Sequence, residues 1–311
     1  MIDYKSRTLL QPPEIASFFV CVVILSLFVA LSIIWQQTVA WNEVVFRTGA
    51  ALGVGGLGVL YRKLGRNEGI ALALIGTGIF VGFTNSTILL NYLLLPVSQP
   101  IVDSHLIRFD AIFGYRWESF VATLAGCPEF GRALAWVYHT SVVQMFGMIL
   151  ILAFAQKHLQ LYRFIVAGII AGVMTVGIWF VFPSFGPAAY QIVPAEVSEN
   201  INLVVTNDYG QEILRLAEEG NAVISFSHVL GLIAFPSFHT VMAALAVWFS
   251  RGLVIFYPLL VLNILMIPAI LSHGGHHLID VFGGILVVSI ALAITRILLP
   301  DPQANQVIQT N

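Results

Sequence analysis

The stretch SHGGHHLIDVFGGILVVSIALAITRILL, residues 272–299, decides how this chain is read. Its first nine residues hold three histidines, two glycines and an aspartate, and from Val281 to Leu299 the only charge is Arg296. An apolar run of that length crosses about 30 Å of hydrocarbon as a single helix. The polar residues therefore stand at the mouth of a transmembrane span, where ionisable side chains are expensive to keep and mark functional sites.

Composition extends this reading to the whole chain. Of 311 residues, 58% are hydrophobic and 10% charged, with a mean hydropathy of +0.90. An ordinary globular domain is roughly one quarter charged, so a water-soluble enzyme is excluded. A net charge of −2 leaves nothing to neutralise a run of phosphates and excludes a nucleic-acid partner. Of the two cysteines, Cys21 sits in an apolar run and Cys127 in a polar connection, which excludes a disulfide framework and a four-cysteine metal site.

Apolar stretches at 15–35, 43–61, 69–95, 133–155, 162–182, 237–250, 253–271 and 277–298 predict an all-α, polytopic transmembrane bundle of about eight spans. The sixth is short. The first lacks a small-residue cleavage site and reads as an anchor. With Lys5 and Arg7 in the cytoplasm, alternation puts Arg62, Lys63, Arg66, Lys157, Arg163, Arg251 and Arg296 on the same side, so both termini are expected inside. No internal repeat interrupts the chain, which divides into a two-span extension (1–68), a six-span core (69–300) and a polar tail (301–311). Two long connections fall on the outer side. Residues 96–132 suit either interfacial helices or a re-entrant segment. Within 184–235, Asp208 to Gly220 predicts a short amphipathic helix, a solvated cap ended by glycine.

Four of the eight histidines crowd the ends of the last three spans. Pro236 suits the first turn of the sixth span, which places His239 in that turn. His276 and Asp280, four apart, share one helical face. The sixth and eighth spans begin on the same side, so two helix N-termini with unpaired N–H groups can converge on a phosphate. An imidazole oriented by a carboxylate can act as nucleophile, and a second, protonated imidazole can donate to the leaving oxygen. These parts suit phosphoester transfer through a phosphohistidine, which needs no metal and no cofactor.

Two motifs also carry a resemblance. Pro236-Ser237-Phe238-His239 resembles the Pro-Ser-Gly-His signature of the type 2 phosphatidic acid phosphatase superfamily, and His276-His277-Leu278-Ile279-Asp280-Val281 resembles the His-Tyr-x-x-Asp-Val of its inositol phosphorylceramide synthase-like branch of inositolphosphotransferases. The stretch Phe182-Pro183-Ser184-Phe185-Gly186-Pro187 is similar to that branch's Phe-Pro-x-x-x-Pro turn. Asp103 to Trp117, with Asp110 and Phe113-Gly114-Tyr115, resembles its Asp-rich element. Together these cover roughly residues 70–300. The resemblance implies a six-span catalytic core, a lipid-linked phosphoester substrate, His276 as nucleophile, Asp280 as its orienting partner and His239 as acid for the leaving group. The chain departs from the pattern in four places. No basic residue stands beside Pro183 or Pro187, Ile270 takes the place of an arginine, Phe238 replaces glycine, and His277 replaces an aromatic residue. Helix N-termini, or Arg108, Arg116 or Arg132, are then expected to hold the phosphate.

Other polar residues have plainer readings. His273 and His277 read as pocket lining or interfacial, and His105 and His228, in the outer connections, as solvated or interfacial. Tyr138, His139, Ser141 and Gln144 read as packing polar residues, and Thr77, Asn85, Ser86, Thr87 and Asn91 as helix glue. Gly53 to Gly58 predicts close helix contact. Two function classes compete with phosphotransfer. His239, His273, His276, His277 and Asp280 could ligate zinc or iron, although no His-Glu-x-x-His is present. A proton-coupled transporter would show an inverted repeat, and no matching halves are found. The expected protein is thus a membrane enzyme whose partner is a lipid entering sideways from the bilayer. A head-group transferase is favoured over a phosphatase, with the site on the outer face of the plasma membrane. The particular lipid and the oligomeric state are not encoded in any pattern of the sequence.

Overall fold

Prolines in the first turn open two of the long helices, at Pro12 and Pro128, where a missing N–H and a fixed φ are harmless. The computed structural model describes residues 8–301; Lys5, Arg7 and the tail after Asp301 lie outside the described residues. In chain order the helices are α1 (Pro12–Ile34), α2 (Trp41–Lys63), α3 (Glu68–Leu93), α4 (Asp103–Ile112), α5 (Trp117–Ala125), α6 (Pro128–Phe154), α7 (His158–Val181), α8 (Ala195–Asn200), α9 (Asn207–Glu219), α10 (Phe238–Phe249), α11 (Phe256–Ser272) and α12 (Leu278–Leu298). Among the described residues no strand forms beyond one isolated bridge, Val39 to Ile224. The fold is the all-α polytopic bundle expected.

Six helices, α1, α2, α3, α6, α7 and α12, are long and apolar enough to cross a membrane. The expected sixth and seventh spans are shorter. With 12 and 17 residues, α10 and α11 extend about 18 and 25 Å at 1.5 Å per residue. The chain leaves α10 at Ser250, turns through Gly252 at φ 75°, and re-enters helix only at Phe256. The short α10 packs against α6, α7, α11 and α12, so its apolar sequence is spent on the protein interior. The outer faces of the long helices carry Phe46, Trp136, Val143 and Phe282, all well exposed. Large apolar side chains facing outward on every side are tolerated where the surroundings are hydrocarbon, and the chain is an integral membrane protein.

Glycines set the closest approaches. A Cβ on Gly78 would lie 2.7 Å from the Gly55 nitrogen, and one on Gly58 would lie 2.8 Å from the Ala71 oxygen, so α2 and α3 meet backbone to backbone. Between α10 and α12, a Cβ on Gly284 would lie 2.6 Å from the Ser237 oxygen. The start of α1, the end of α2 and the start of α3 are tied by charge. Glu14, 2% exposed, accepts from Arg62 at 2.7 Å and from the Tyr162 hydroxyl at 3.1 Å, while Arg62 also reaches Glu68 at 2.8 Å. At the opposite end of the bundle, the Glu43 carboxylate accepts from the Phe226 amide at 2.8 Å and from the Ser225 and Ser227 hydroxyls, which fastens the 225–227 turn to α2.

The two long connections fold in part as short helices. α4 and α5 account for much of 96–132, and α9 ends at Gly220, φ 76°, in agreement with the amphipathic stretch read there. Removing one member of a buried ion pair leaves the other charge uncompensated. Arg62→Met is therefore expected to destabilise the protein by about 3 kcal/mol or more, read as a lowered thermal unfolding midpoint in detergent, with Glu14→Gln in the same chain recovering part of the loss.

Candidate active site

The site is assembled where α10 and α12 begin. Ser237 caps α10, its Oγ accepting from the Thr240 amide at 3.4 Å, and its own amide donates to the Asp280 carbonyl at 3.0 Å, which locks the two helix starts together. After α11 the chain turns through Gly274 and Gly275 (φ 59°) and meets the Ser184–Pro187 turn. A Cβ on Gly186, φ 83°, would lie 2.1 Å from the Gly275 oxygen. Two of the motifs singled out in the sequence thus touch through their backbones.

His276 Nδ1 donates to Asp280 Oδ2 at 2.8 Å, and the same oxygen accepts from the His277 amide at 3.0 Å. Nε2 of His276 is left with the Ser237 hydroxyl at 3.4 Å. His276 is 3% exposed and Asp280 fully buried. The His239 ring lies 6.3 Å from His276, centroid to centroid, and stacks on Tyr138 at 4.3 Å with an interplanar angle of 22°. Both histidines line a cavity of about 310 Å³ walled by α3, α6, α7, α10 and residues 229–233. On α3 its wall runs from Ile79 to Tyr92, about 20 Å along the helix. The deep end is apolar, with Phe80, Phe164 and Leu245; the end with the histidines also holds Thr87, Asn91 and Tyr138. Tyr209 of α9 contributes to the wall and donates through its hydroxyl to the Gly231 carbonyl, which holds the 229–233 segment over the opening.

Behind His276 lies a group of buried charges. His277 Nδ1 is 2.6 Å from Asp110 Oδ2, and its Nε2 is 3.2 Å from Asp103 Oδ1. Asp110 Oδ1 accepts from the Leu278 amide at 3.0 Å, and Asp103 Oδ1 accepts from the Gly186 amide at 2.8 Å and the Ser184 hydroxyl at 3.0 Å. Burial works against a charge on His277, but its hydrogen bonds to Asp103 and Asp110 outweigh it and push the group up to about 9. Contrary to the plain reading of the sequence, His277 neither lines the cavity nor meets lipid. The available signal was the spacing of Asp103 and Asp110, seven apart and so on one face of a helix two turns long.

The remaining predicted residues fall elsewhere. None of Arg108, Arg116 and Arg132 lines the cavity. Arg108 is exposed on α4, Arg116 pairs with Glu118, and Arg132 pairs with Glu129 at 2.5 Å and donates to the Asn200 carbonyl. The two helix starts also differ as anion sites. Carboxylates of Asp110 and Asp280 already occupy the first turn of α12, whereas Phe238 and His239, in the first turn of α10, have no intrahelical acceptor. His273 is fully buried outside the cavity. Burial pushes it down to about 4, and it bonds the Gly131 carbonyl at 2.9 Å. Gln144 joins α6 to α11 through Asn263 at 2.7 Å, as helix glue should, while Tyr138, read as packing, is a cavity wall. Among the described residues no group of three or more His, Cys, Asp or Glu side chains has the arrangement to hold a metal ion.

A helical membrane bundle with a carboxylate-held imidazole facing a second imidazole, at the end of a long apolar cavity, defines a class of lipid-modifying membrane protein. The chain belongs to the PAP2 superfamily, which matches residues 104–294. Membership supports a phosphatase-like enzyme acting on lipid phosphoesters. No curated protein and no solved structure matches the chain. Because the site depends on the contact between its two turns, Gly186→Ala is expected to lower the unfolding midpoint by several degrees, whereas Gly177→Ala, on an open helix face, should leave it unchanged; thermal unfolding in detergent compares the two.

Proposed function

We propose that the protein is a lipid head-group phosphotransferase, of the kind that inositol phosphorylceramide synthases resemble, working through a phosphohistidine on His276. The observation that carries this reading is the 2.8 Å bond from His276 Nδ1 to Asp280, which leaves the Nε2 lone pair on the cavity side across from His239. In the first half-reaction Nε2 attacks phosphorus, the bond to the leaving alkoxide breaks, and His239, which takes up a proton when the phosphate anion binds beside it, gives that proton to the leaving oxygen. Asp280 stabilises the charge formed on His276. In the second half-reaction an acceptor hydroxyl attacks the phosphorus, the N–P bond breaks and the hydroxyl proton returns to His239. Water in place of the alcohol would make the enzyme a phosphatase.

The absence of lysine and arginine from the cavity wall supports a diester donor. A phosphodiester carries one negative charge, which one imidazolium and the first N–H groups of α10 can balance. A phosphomonoester dianion would bring a second charge into a largely apolar chamber. The elongated apolar end suits an acyl chain that enters from the bilayer. In this reading the termini are cytoplasmic, residues 69–300 form the catalytic core, and the site faces outward from the plasma membrane. No step uses a metal or a cofactor.

The test is turnover by purified protein in detergent, with short-chain phosphatidic acid for phosphate release and phosphatidylinositol plus ceramide for head-group transfer. Vanadate, a mimic of five-coordinate phosphorus, is expected to inhibit. His276→Ala should abolish turnover in a folded protein, and Asp280→Asn should lower kcat by a factor on the order of 10²–10⁴. Phosphate release without transfer would replace the transferase by a phosphatase, and full activity in His276→Ala would remove the nucleophile. Chelation by EDTA is expected to change nothing; activity lost to the chelator and restored by zinc would favour a metal-dependent enzyme.

A further inference from the structure

The charge cluster behind His276 has no part in the half-reactions above, yet it is the most heavily bonded group in the site. His277, Asp103 and Asp110 are 0%, 1% and 3% exposed. Each ring nitrogen of His277 faces a carboxylate oxygen, at 2.6 and 3.2 Å. A neutral imidazole has one N–H and one lone pair, so it would point that lone pair at an anion on one side; only the cation donates to both. We infer that His277 is a positioning residue for the reaction: as a cation bridging Asp103 and Asp110 it fixes the backbone that presents His276, and it releases that backbone when it loses its proton. This role rests on His276 being the nucleophile.

Three chain segments depend on the bridge. Asp103 holds the Ser184–Gly186 turn through the Ser184 hydroxyl and the Phe185 and Gly186 amides. Asp110 holds the Leu278 amide, and Tyr115 donates to the His276 carbonyl at 3.1 Å and the Leu271 carbonyl at 3.0 Å. His276 therefore sits on a backbone pinned at its own carbonyl and at the two residues that follow. The titratable groups facing His277 are Asp103 and Asp110 from α4 and Asp280 from α12. Tyr190 is hydrogen-bonded to Asp103, and Tyr115 lies close to Asp110 and Asp280. Burial first, and the neighbouring carboxylates after it, raise both phenols above their ordinary range, so they stay neutral while His277 titrates. With a folded value of about 9 above the unfolded value of about 6.5, the bridge contributes its full stabilisation below about pH 6.5 and loses it as pH rises through about 9.

The test follows kcat and the thermal unfolding midpoint from about pH 6 to 10 in wild type, His277→Gln and His277→Gln with Asp110→Asn. Glutamine keeps a donor and has no proton to lose. In wild type, kcat is expected to fall with an apparent pKa near 9, with KM little changed, and the midpoint to decline from about pH 6.5 and level off above about pH 9. In His277→Gln, kcat should drop by roughly 10- to 100-fold at neutral pH, and the limb of kcat near pH 9 and the matching decline of the midpoint should disappear, while the separate limb set by protonated His239 stays. Adding Asp110→Asn removes the unpaired carboxylate and should recover part of kcat. A folded His277→Gln with wild-type kcat, or with the wild-type limb near pH 9 intact, overturns the inference. Should that variant not fold, a wild-type kcat that stays flat through about pH 9.5 overturns it instead. An inactive wild type would overturn the phosphotransfer reading and this role with it, whereas an active wild type with an unchanged limb in His277→Gln overturns the role alone.

Discussion

Buried carboxylates need donors, and three of them, Asp103, Asp110 and Asp280, converge on residues 276–278, with the Ser184–Gly186 turn adding donors to Asp103 and only Oδ1 of Asp280 left without a partner in this group. The histidine pair at 276 and 277 divides the work. His276, in the turn before α12, answers Asp280 in the first turn of that helix, and His277 answers two carboxylates that arrive on α4. The start of α12, the α4 face and the Ser184–Gly186 turn are joined by this cluster, because an ion removed from it would leave another unpaired in a low-dielectric surrounding. The cavity and its two imidazoles are arranged on top of that joint.

The same constraint explains why the first turn of α12 does not serve as an anion site. Its amides are already committed to Asp110 and Asp280, so an incoming phosphate would meet acceptors rather than donors. The first turn of α10 is the one that opens toward the cavity, with His239 stacked on Tyr138 beside it. α10 can hold this place because it is short and enclosed by α6, α7, α11 and α12, which leaves the lipid contact to the long helices. α1 and α2 act from further out: they pack on α3, one wall of the cavity, and Glu43 fastens the turn that leads into the 229–233 segment.

Much of this was legible in the chain because its signals are local. Apolar runs long enough for a bilayer define the long helices and Gly220 ends α9 where a positive φ is needed, but His276 lies in the turn before His277, the N-cap of α12, so it reaches Asp280 from that turn and not from the shared helical face that the four-residue step suggested. The family resemblance in the Pro236–His239 and His276–Val281 motifs, and in the stretch from Asp103, pointed to the same region that the superfamily match spans. Arg108, Arg116 and Arg132 were attractive because the chain offers few other cations on that side. Their partners turn out to be nearby carboxylates and a carbonyl or solvent, the ordinary fate of a long flexible cation at a helix end.

Sequence alone determined the class of the molecule and the order of its helices, since hydropathy and helix stops act within a few turns of chain; the pairing of His276 with Asp280 also needed the turn that precedes α12. Tertiary structure decided that Asp110 reaches His277 across 167 positions, that His239 finds Tyr138 as its stacking partner, and that the cavity wall carries no lysine or arginine. Those contacts depend on how α4, α6, α10 and α12 cross. The crossing is set by backbone approaches at Gly186, Gly275 and Gly284 and by the need to pair buried charge, and neither is written in any local window of residues.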